Sequence, residues 1–505
     1  MQIEPQAAAF SKSYARGKPQ VVWTTLVADL ETPVSAFLKI AAGRPMSFLL
    51  ESVEGGSVRG RYSIIGIEPD AVWRAHGPHS EIDRAPQTKE SSFVPCPGTP
   101  LEALRSLIAE SRVALPDALP PMAAGVFGYM GYDMVRLMEK LPEPKVDPIG
   151  IPDAILVRPT IVLVFDTVKD TITVVTPVRP SKLASARTAL TRAVERITAV
   201  IESLDRSLDK EAAQTVDGPL IVAPTSNTPP AEFHHMVRKA KEYIAAGDIF
   251  QVVLAQRFEA PFTLPPFALY RALRRVNPAP FLFFLDYGRF AVAGSSPEIL
   301  VRVRGDTVTI RPIAGTRPRG ETPQQDKAFE DALLADQKER AEHLMLLDLG
   351  RNDVGRVADI GSVNVTDQFF IERYSQVMHI VSNVEGKLDR RYDALDALVA
   401  GFPAGTVSGA PKVRAMEIVD ELEKEKRGLY AGCVGYFSAA GDMDTCIVLR
   451  TALVKDGRMY VQAGAGIVAD SDPDFEQQEC INKAKALFRA AEEARRFASA
   501  GKRGQ

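Results

Sequence analysis

CVGYFSAAGDMDTCIVLRTALVKDGRMYVQAG, residues 433–464, decides the fold. Apolar residues alternate with small or polar ones, and Gly441-Asp442 and Asp456-Gly457 interrupt the pattern as turns. That is the pattern of adjacent antiparallel strands. The same grammar recurs upstream in FLFFLDYGRFAVAGS (281–295), turning at Tyr287-Gly288, and in EILVRVRGDTVTIRPI (298–313), turning at Gly305-Asp306. TIVLVFDTVKDTITVVTPV (160–178) reads as two more strands around a Lys-Asp turn. IFQVVLAQRF is a further strand, following a helix over 231–246 that ends at Gly247. Thr32-Pro33 looks like a helix start, and the Ala-rich stretch 181–204 reads as a helix. Longer helices are predicted near 328–347, 411–425 and 475–498. No strand–helix alternation of the parallel, dinucleotide-binding type is present. The expected class is α+β, with large antiparallel sheets forming a β-sandwich covered by helices.

The chain has 505 residues, enough for two or more cores. Residues 205–230 are polar and proline-rich, with little apolar periodicity, and suggest a boundary. The division expected is 1–215 as an N-terminal regulatory or structural region and 216–500 as a catalytic region. A net charge of −3 gives no reason to expect nucleic acid or an anionic membrane as partner. No run approaches the roughly 18 apolar residues of a membrane span, and the first residues lack an apolar signal core. Cys96, Cys433, Cys446 and Cys480 are scattered, as reduced thiols of a cytoplasmic protein would be. His76, His79 and Cys96 lack a fourth ligand and read as a polar loop.

Two Glu-x-x-Glu pairs, Glu339/Glu342 and Glu476/Glu479, fall on predicted helices. Residues three apart share a helix face, so each pair projects two carboxylates the same way. The spacing also arises by chance, as in Glu51/Glu54, and a solvated helix face would give the same pattern. A hard dication such as Mg2+ between the carboxylates would remove their repulsion. Gly464-Ala465-Gly466 could let backbone N–H groups approach an anion, or could be a tight strand exit. Arg450 is placed on a strand, and Lys483 lies one turn after Glu479. Together these residues suggest a small dicarboxylate with one carboxylate on a metal.

GSSPE (294–298), RPIAGTRPRG (311–320), KERAEHLMLLDLGRND (338–353), FPAGTVSGAPKVRAMEI (402–418), YAGCVGYF (430–437), CIVLRT (446–451) and QAGAGIVADSDPDFEQQECINKA (462–484) run in that order. By these stretches the chain resembles the chorismate-utilising enzymes, most nearly the large subunits of anthranilate synthases. The resemblance implies Glu342 and Glu479 as Mg2+ ligands, with Glu339 and Glu476 as partners holding metal-bound water. It implies Tyr430, Arg450, Lys483, Gln251 and the backbone at Gly315, Thr316 and Gly464, Ala465, Gly466 around the substrate. Glu298 would be the general acid for the departing C4 hydroxyl, a role that needs a raised pKa. His379 and Thr406 would be active-site residues, His379 in pyruvate elimination.

Two positions distinguish relatives. Isochorismate and salicylate synthases resemble one another in carrying lysine where Gln251 stands. Aminodeoxychorismate synthases typically read PIKGT where this chain has Ala314. Neither rival amine is present, so the resemblance implies attack of ammonia at ring carbon C2 and release of anthranilate. An aminodeoxychorismate synthase, or a non-catalytic tryptophan-binding subunit, are the alternatives. LLES (49–52) and NPAPFLFF (277–284) resemble the lining of a tryptophan feedback site, implying Leu50, Glu51, Ser52, Pro280, Phe281, Leu282 and Cys446 around the inhibitor. No glutaminase motif such as GxCxG is found. A separate glutamine amidotransferase subunit is therefore implied as ammonia donor, and the assembly would be a hetero-oligomer.

Overall fold

The computed structural model describes residues 1–41, 43–54, 58–86, 92–208, 223–374 and 377–499. The expected boundary at 215/216 lies outside the described residues. Strand pairing crosses it: Ser47–Glu54 pairs with Phe281–Asp286, and Gly125–Met130 with Cys433–Ser438, both antiparallel.

The hairpins form where their turn residues put them. Phe281–Asp286 pairs with Phe290–Ser296, Ile299–Arg304 with Thr307–Ile310, Cys433–Ser438 with Met443–Ile447, and Thr451–Lys455 with Arg458–Ile467. Gly288, Gly305 and Gly457 take φ of 77°, 57° and 73°, the left-handed region these turns require. The stretch 433–464 is nevertheless not one continuous meander. Met443–Ile447 pairs onward with Ile299–Arg304, whereas Thr451–Lys455 pairs with Phe290–Ser296. Residues 448–450 carry the chain from one arm of the sheet to the other. Arg450 sits in that crossing at φ 47°, not on a strand as the sequence suggested.

The two arms share the long strand Ala154–Asp166. Its first residues pair with Gly125–Met130 and its last with Thr171–Val178. Side chains alternate between two cores. Phe283 and Leu285 enter the space between the arms, while Leu282 and Phe284 enter the core beneath the helices. Phe48 of one arm stacks on Phe127 of the other, with ring centroids 4.6 Å apart. The molecule is therefore α+β, a β-sandwich with helices packed outside.

Pro33–Ile40 starts as Thr32-Pro33 indicated, with the Thr32 side chain accepting from Ser35 N–H. The helix expected near 328–347 is two helices, Pro323–Ala335 and Gln337–Gly355. Asp336 breaks them. Its backbone leaves helical geometry at ψ 111°, and its carboxylate accepts from the Lys338 and Glu339 N–H groups. Cap residues favour this trade because they satisfy orphan N–H groups of a new first turn. The final helix is Pro473–Ser499, and Pro266–Val276 packs against it. Among the described residues no helix is long and apolar enough to cross a membrane, and the four cysteines are free. His76 and His79 face each other across a hairpin, and among the described residues no metal-binding group forms there.

Candidate active site

A cleft of about 750 Å³ opens between the first turns of Gln337–Gly355 and Pro473–Ser499 and the strands Gln251–Pro261, Ile313–Pro318 and Arg458–Ile467. Both Glu pairs line it. Glu339 and Glu476 lie in the first turns of their helices, where the positive end of the macrodipole favours negative charge, and Glu342 and Glu479 follow one turn on. The Glu342 carboxyl is pushed up, first by burial, then by the charges of Glu339 and, across the cleft, Glu479. Burial also raises Glu476, and Glu479 adds to it. As the side chains stand, Glu339 is turned to Arg317, 2.9 Å away, and Glu479 to Lys483, 2.6 Å away. Among the described residues no three carboxylate, imidazole or thiol side chains therefore enclose a common point. The donor set still fits a hard dication. It is all oxygen and it comes from two facing helices, and the charges of Glu339 and Glu479 add to the burial that raises Glu342.

Gly464, Ala465 and Gly466 lie inside the strand Arg458–Ile467, opposite Ala255, Leu254 and Val253, rather than beyond its end. Alternation puts the two glycines on the cleft and Ala465 in the helix-covered core, so Ala465 can offer only backbone. The glycines make room for side chains. A Cβ on Gly464 would stand 2.7 Å from the Tyr430 hydroxyl, and one on Gly466 2.3 Å from Gln251 Nε2. Gln251 donates through that nitrogen to Glu342 at 3.2 Å, while its Oε1 is buried without a donor. Lys483 Nζ donates to the Gly464 carbonyl at 2.9 Å. Arg450 lines the cleft and makes no ion pair among the described residues. Burial lowers its pKa, and Tyr374 and Glu298 pull it back up. A half-buried guanidinium without an ion-pair partner among the described residues, in a cleft that Tyr430 also lines, is a natural seat for a carboxylate.

Glu298 is 6% exposed, between Phe290–Ser296 and Ile299–Arg304. Thr406 Oγ donates to its carboxylate at 3.1 and 3.2 Å. Burial raises its pKa to about 8, against lowering by Thr406, the Ile313 N–H and Arg450. The raising cause is desolvation. His379, on Val377–Lys387, lies 2.8 Å from the Gly315 carbonyl through Nδ1. That contact requires the proton on Nδ1 and leaves Nε2, buried and without partner, as an acceptor. Burial lowers its pKa to about 4, so the ring is neutral at pH 7. Thr316 Oγ stands 3.2 Å from the same Nδ1. Gly315 adopts φ 69°, and Ala314 lines the cleft beside it.

Arg317 and Asp336 were not singled out by sequence. Arg317 reaches Asp336 at 2.8 Å as well as Glu339, fixing the first turn that carries the carboxylates. Asp336 three residues before Glu339 is a capping pattern that could have placed this helix start.

The seven residues expected around tryptophan do not share one face. Leu50, Phe281 and Cys446 face the core between the arms. Ser52 pairs directly with Phe281 and so lies on that face. Glu51 and Leu282 point the opposite way, and Glu51 is already held by Tyr270 and by Arg274 at 2.6 and 2.9 Å. Pro280 is half-buried just before Phe281.

The chain matches the chorismate binding enzyme family over residues 48–489 and belongs to it. It is 57% identical to anthranilate synthase component 1 of Cereibacter sphaeroides, over 97% of this chain and 98% of that one. To the Pseudomonas putida protein of the same name it is 48% identical, over 92% and 93%. The crystal structure of anthranilate synthase component I from Streptococcus pneumoniae superposes with TM-score 0.75 at 37% identity, covering 92% of this chain and 98% of that one. The menaquinone-specific isochorismate synthase of Escherichia coli shares the fold, with TM-score 0.69 at 19% identity over 96% and 100%.

The raised Glu298 pKa has a thermodynamic signature. Between the unfolded carboxyl value and about 8 the folded state binds the extra proton, so this group lowers stability as pH rises through that window. Glu298→Gln removes the slope. Calorimetry at about pH 5 and about pH 8 should show the variant gaining stability over the parent at the higher pH, by on the order of 1–3 kcal/mol. An equal difference at both pH values would mean that Glu298 is ionised throughout.

Proposed function

We propose that this chain is the large subunit of an anthranilate synthase, converting chorismate and ammonia to anthranilate and pyruvate. The observation that favours this chemistry over other members of the family is the lack of an amine at two cleft positions. Gln251 is tied to Glu342 and cannot act as a base toward water, and Ala314 offers no nucleophile.

In this reading Arg450, Tyr430 and Lys483 hold substrate carboxylates. Ammonia forms a bond to ring carbon C2 while Glu298 gives its proton to the C4 hydroxyl, which leaves as water. The product of that half is 2-amino-2-deoxyisochorismate. His379 Nε2 then accepts the proton of C2, the enolpyruvyl C–O bond breaks, and the electrons of the C–H bond complete the aromatic ring. Thr316 and Gly315 fix the imidazole for this step. Mg2+ is the cofactor proposed, held by Glu342 and Glu479 with Glu339 and Glu476 beside them. It would supply Lewis acidity at the ring carboxylate. Holding it requires Glu339 and Glu479 to turn from Arg317 and Lys483.

We further propose a glutamine amidotransferase subunit as ammonia donor, hence a hetero-oligomer, and a cytoplasmic location that accords with the free cysteines. Tryptophan is the proposed feedback inhibitor. Its proposed contacts are Leu50, Ser52, Phe281 and Cys446, with Glu51 bracing the strand from behind through Arg274.

The purified chain given chorismate, Mg2+ and ammonium should form fluorescent anthranilate. Glu342→Gln should lower kcat/KM by roughly 100-fold or more at fixed Mg2+, the loss expected for a metal-binding carboxylate. Isochorismate or aminodeoxychorismate as sole product would refute the assignment, and an unaffected Glu342→Gln would refute the metal site. Phe281→Ala should weaken tryptophan inhibition about tenfold, through loss of roughly 1.4 kcal/mol of apolar contact, with chorismate KM unchanged. Inhibition at parental strength would remove that face from consideration.

A further inference from the structure

Behind the cleft lies a buried ion pair with no part in the chemistry above. Asp353, in the last turns of Gln337–Gly355, receives Lys412 Nζ on both oxygens at 2.9 and 2.8 Å. The side chains are 6% and 12% exposed. Neither residue lines the cleft. Arg356 is the other charge acting on Asp353.

The pair connects two segments that the site requires to be in register. Asp353 is on the helix whose opposite end carries Glu339 and Glu342. Lys412 opens the helix Lys412–Leu422, six residues after Thr406, whose hydroxyl is bonded to Glu298. Between them Gly405 rides directly on the Asp353 helix: a Cβ there would stand 2.5 Å from Leu349 Cδ2. A cavity of about 20 Å³, room for about one water, is lined by Glu298, Gly405, Thr406 and Asp353. Thr406 stands on the helical turn Gly405–Ser408, which Arg427 holds through the Val407 carbonyl and which runs on into Gly409-Ala410, paired with Gln251-Val252; the Lys412–Asp353 pair is the charged tie from this segment to the Asp353 helix.

We propose that Asp353 and Lys412 are positioning residues for Glu298, holding the Thr406 hydroxyl on the acid. The proposal rests on the reading of Glu298 as general acid. Thr406, the Ile313 N–H, Arg450 and Tyr374 are the groups that face Glu298. Thr406 is the one carried by the segment that the ion pair ties to the Asp353 helix. Its donated bond favours the ionised acid, so losing that bond moves the titration of Glu298 to higher pH.

The test uses the full chain at saturating Mg2+ and constant free ammonia, reading the alkaline limb of kcat. The variants are Thr406→Val, Lys412→Met, the combination Asp353→Leu with Lys412→Met, and the conservative Lys412→Arg. The combined variant replaces both charges with apolar groups, which buried pairs commonly tolerate, and circular dichroism selects the variants that fold. Thr406→Val should move the limb upward by about half a pH unit or more. Lys412→Met or the combined variant should move it the same way, lowering kcat about tenfold with chorismate KM within about twofold. Lys412→Arg should restore the parental limb. Adding Lys412→Met to Thr406→Val should move it no further, because both act through one bond. A parental limb in the folded combined variant, or a further shift on the Thr406→Val background, overturns the positioning role while leaving Glu298 as the acid. An unmoved limb in Thr406→Val, or full activity in Glu298→Gln, removes the acid assignment and the proposal with it.

Discussion

Four carboxylates brought to one cleft by two helix N-termini is the arrangement on which the site depends. It is repulsive: beyond burial, which acts first, neighbouring carboxylates raise Glu342 and Glu476. The protein offsets it in three ways that are independent of any bound ion. The helix dipoles present their positive ends, Arg317 and Lys483 neutralise one member of each pair, and Gln251 donates to Glu342. An entering dication would compete with two salt bridges. Both are partly exposed, and such pairs contribute little net stability.

Opposite the carboxylates the cleft is built by omission. Glycine at 464 and 466 removes the side chains that would otherwise fill the space of Tyr430 and Gln251. Arg450 reaches the same space from a strand-to-strand crossing at positive φ. The sheet pairs Gln251–Pro261 with Arg458–Ile467, so residues some two hundred positions apart are set on one face by ladder register. Deep in the wall, desolvation separates two proton carriers by environment. It raises Glu298 so that it holds a proton near neutral pH, and lowers His379 so that it lacks one. One group is thus ready to give a proton and the other to take one.

Much of this was legible in the sequence. The paired turns fixed the hairpins, because glycine at positive φ and two-residue spacing are local constraints. The Glu-x-x-Glu pairs, Glu298, His379 and Thr406 all line the cleft. What escaped was non-local. That residues 433–464 divide between two arms depends on which strands compete for the edges. Arg450 therefore read as a strand residue. The GAG segment read as a strand exit or anion cradle, because its partner strand begins at Gln251, far away in sequence. The seven residues grouped around tryptophan split because strand alternation puts Glu51 and Leu282 opposite their neighbours. The helix break at Asp336 was legible but overlooked, since the helical periodicity on either side was strong.

We propose the two glutamate pairs as the jaws of one divalent-cation site. Anomalous diffraction from crystals grown with Mn2+ in place of Mg2+ tests it most directly. A single strong peak is expected between Glu342 and Glu479, with Glu339 and Glu476 within water-bridging reach. A peak elsewhere in the chain, or none at saturating Mn2+ with substrate bound, would contradict it.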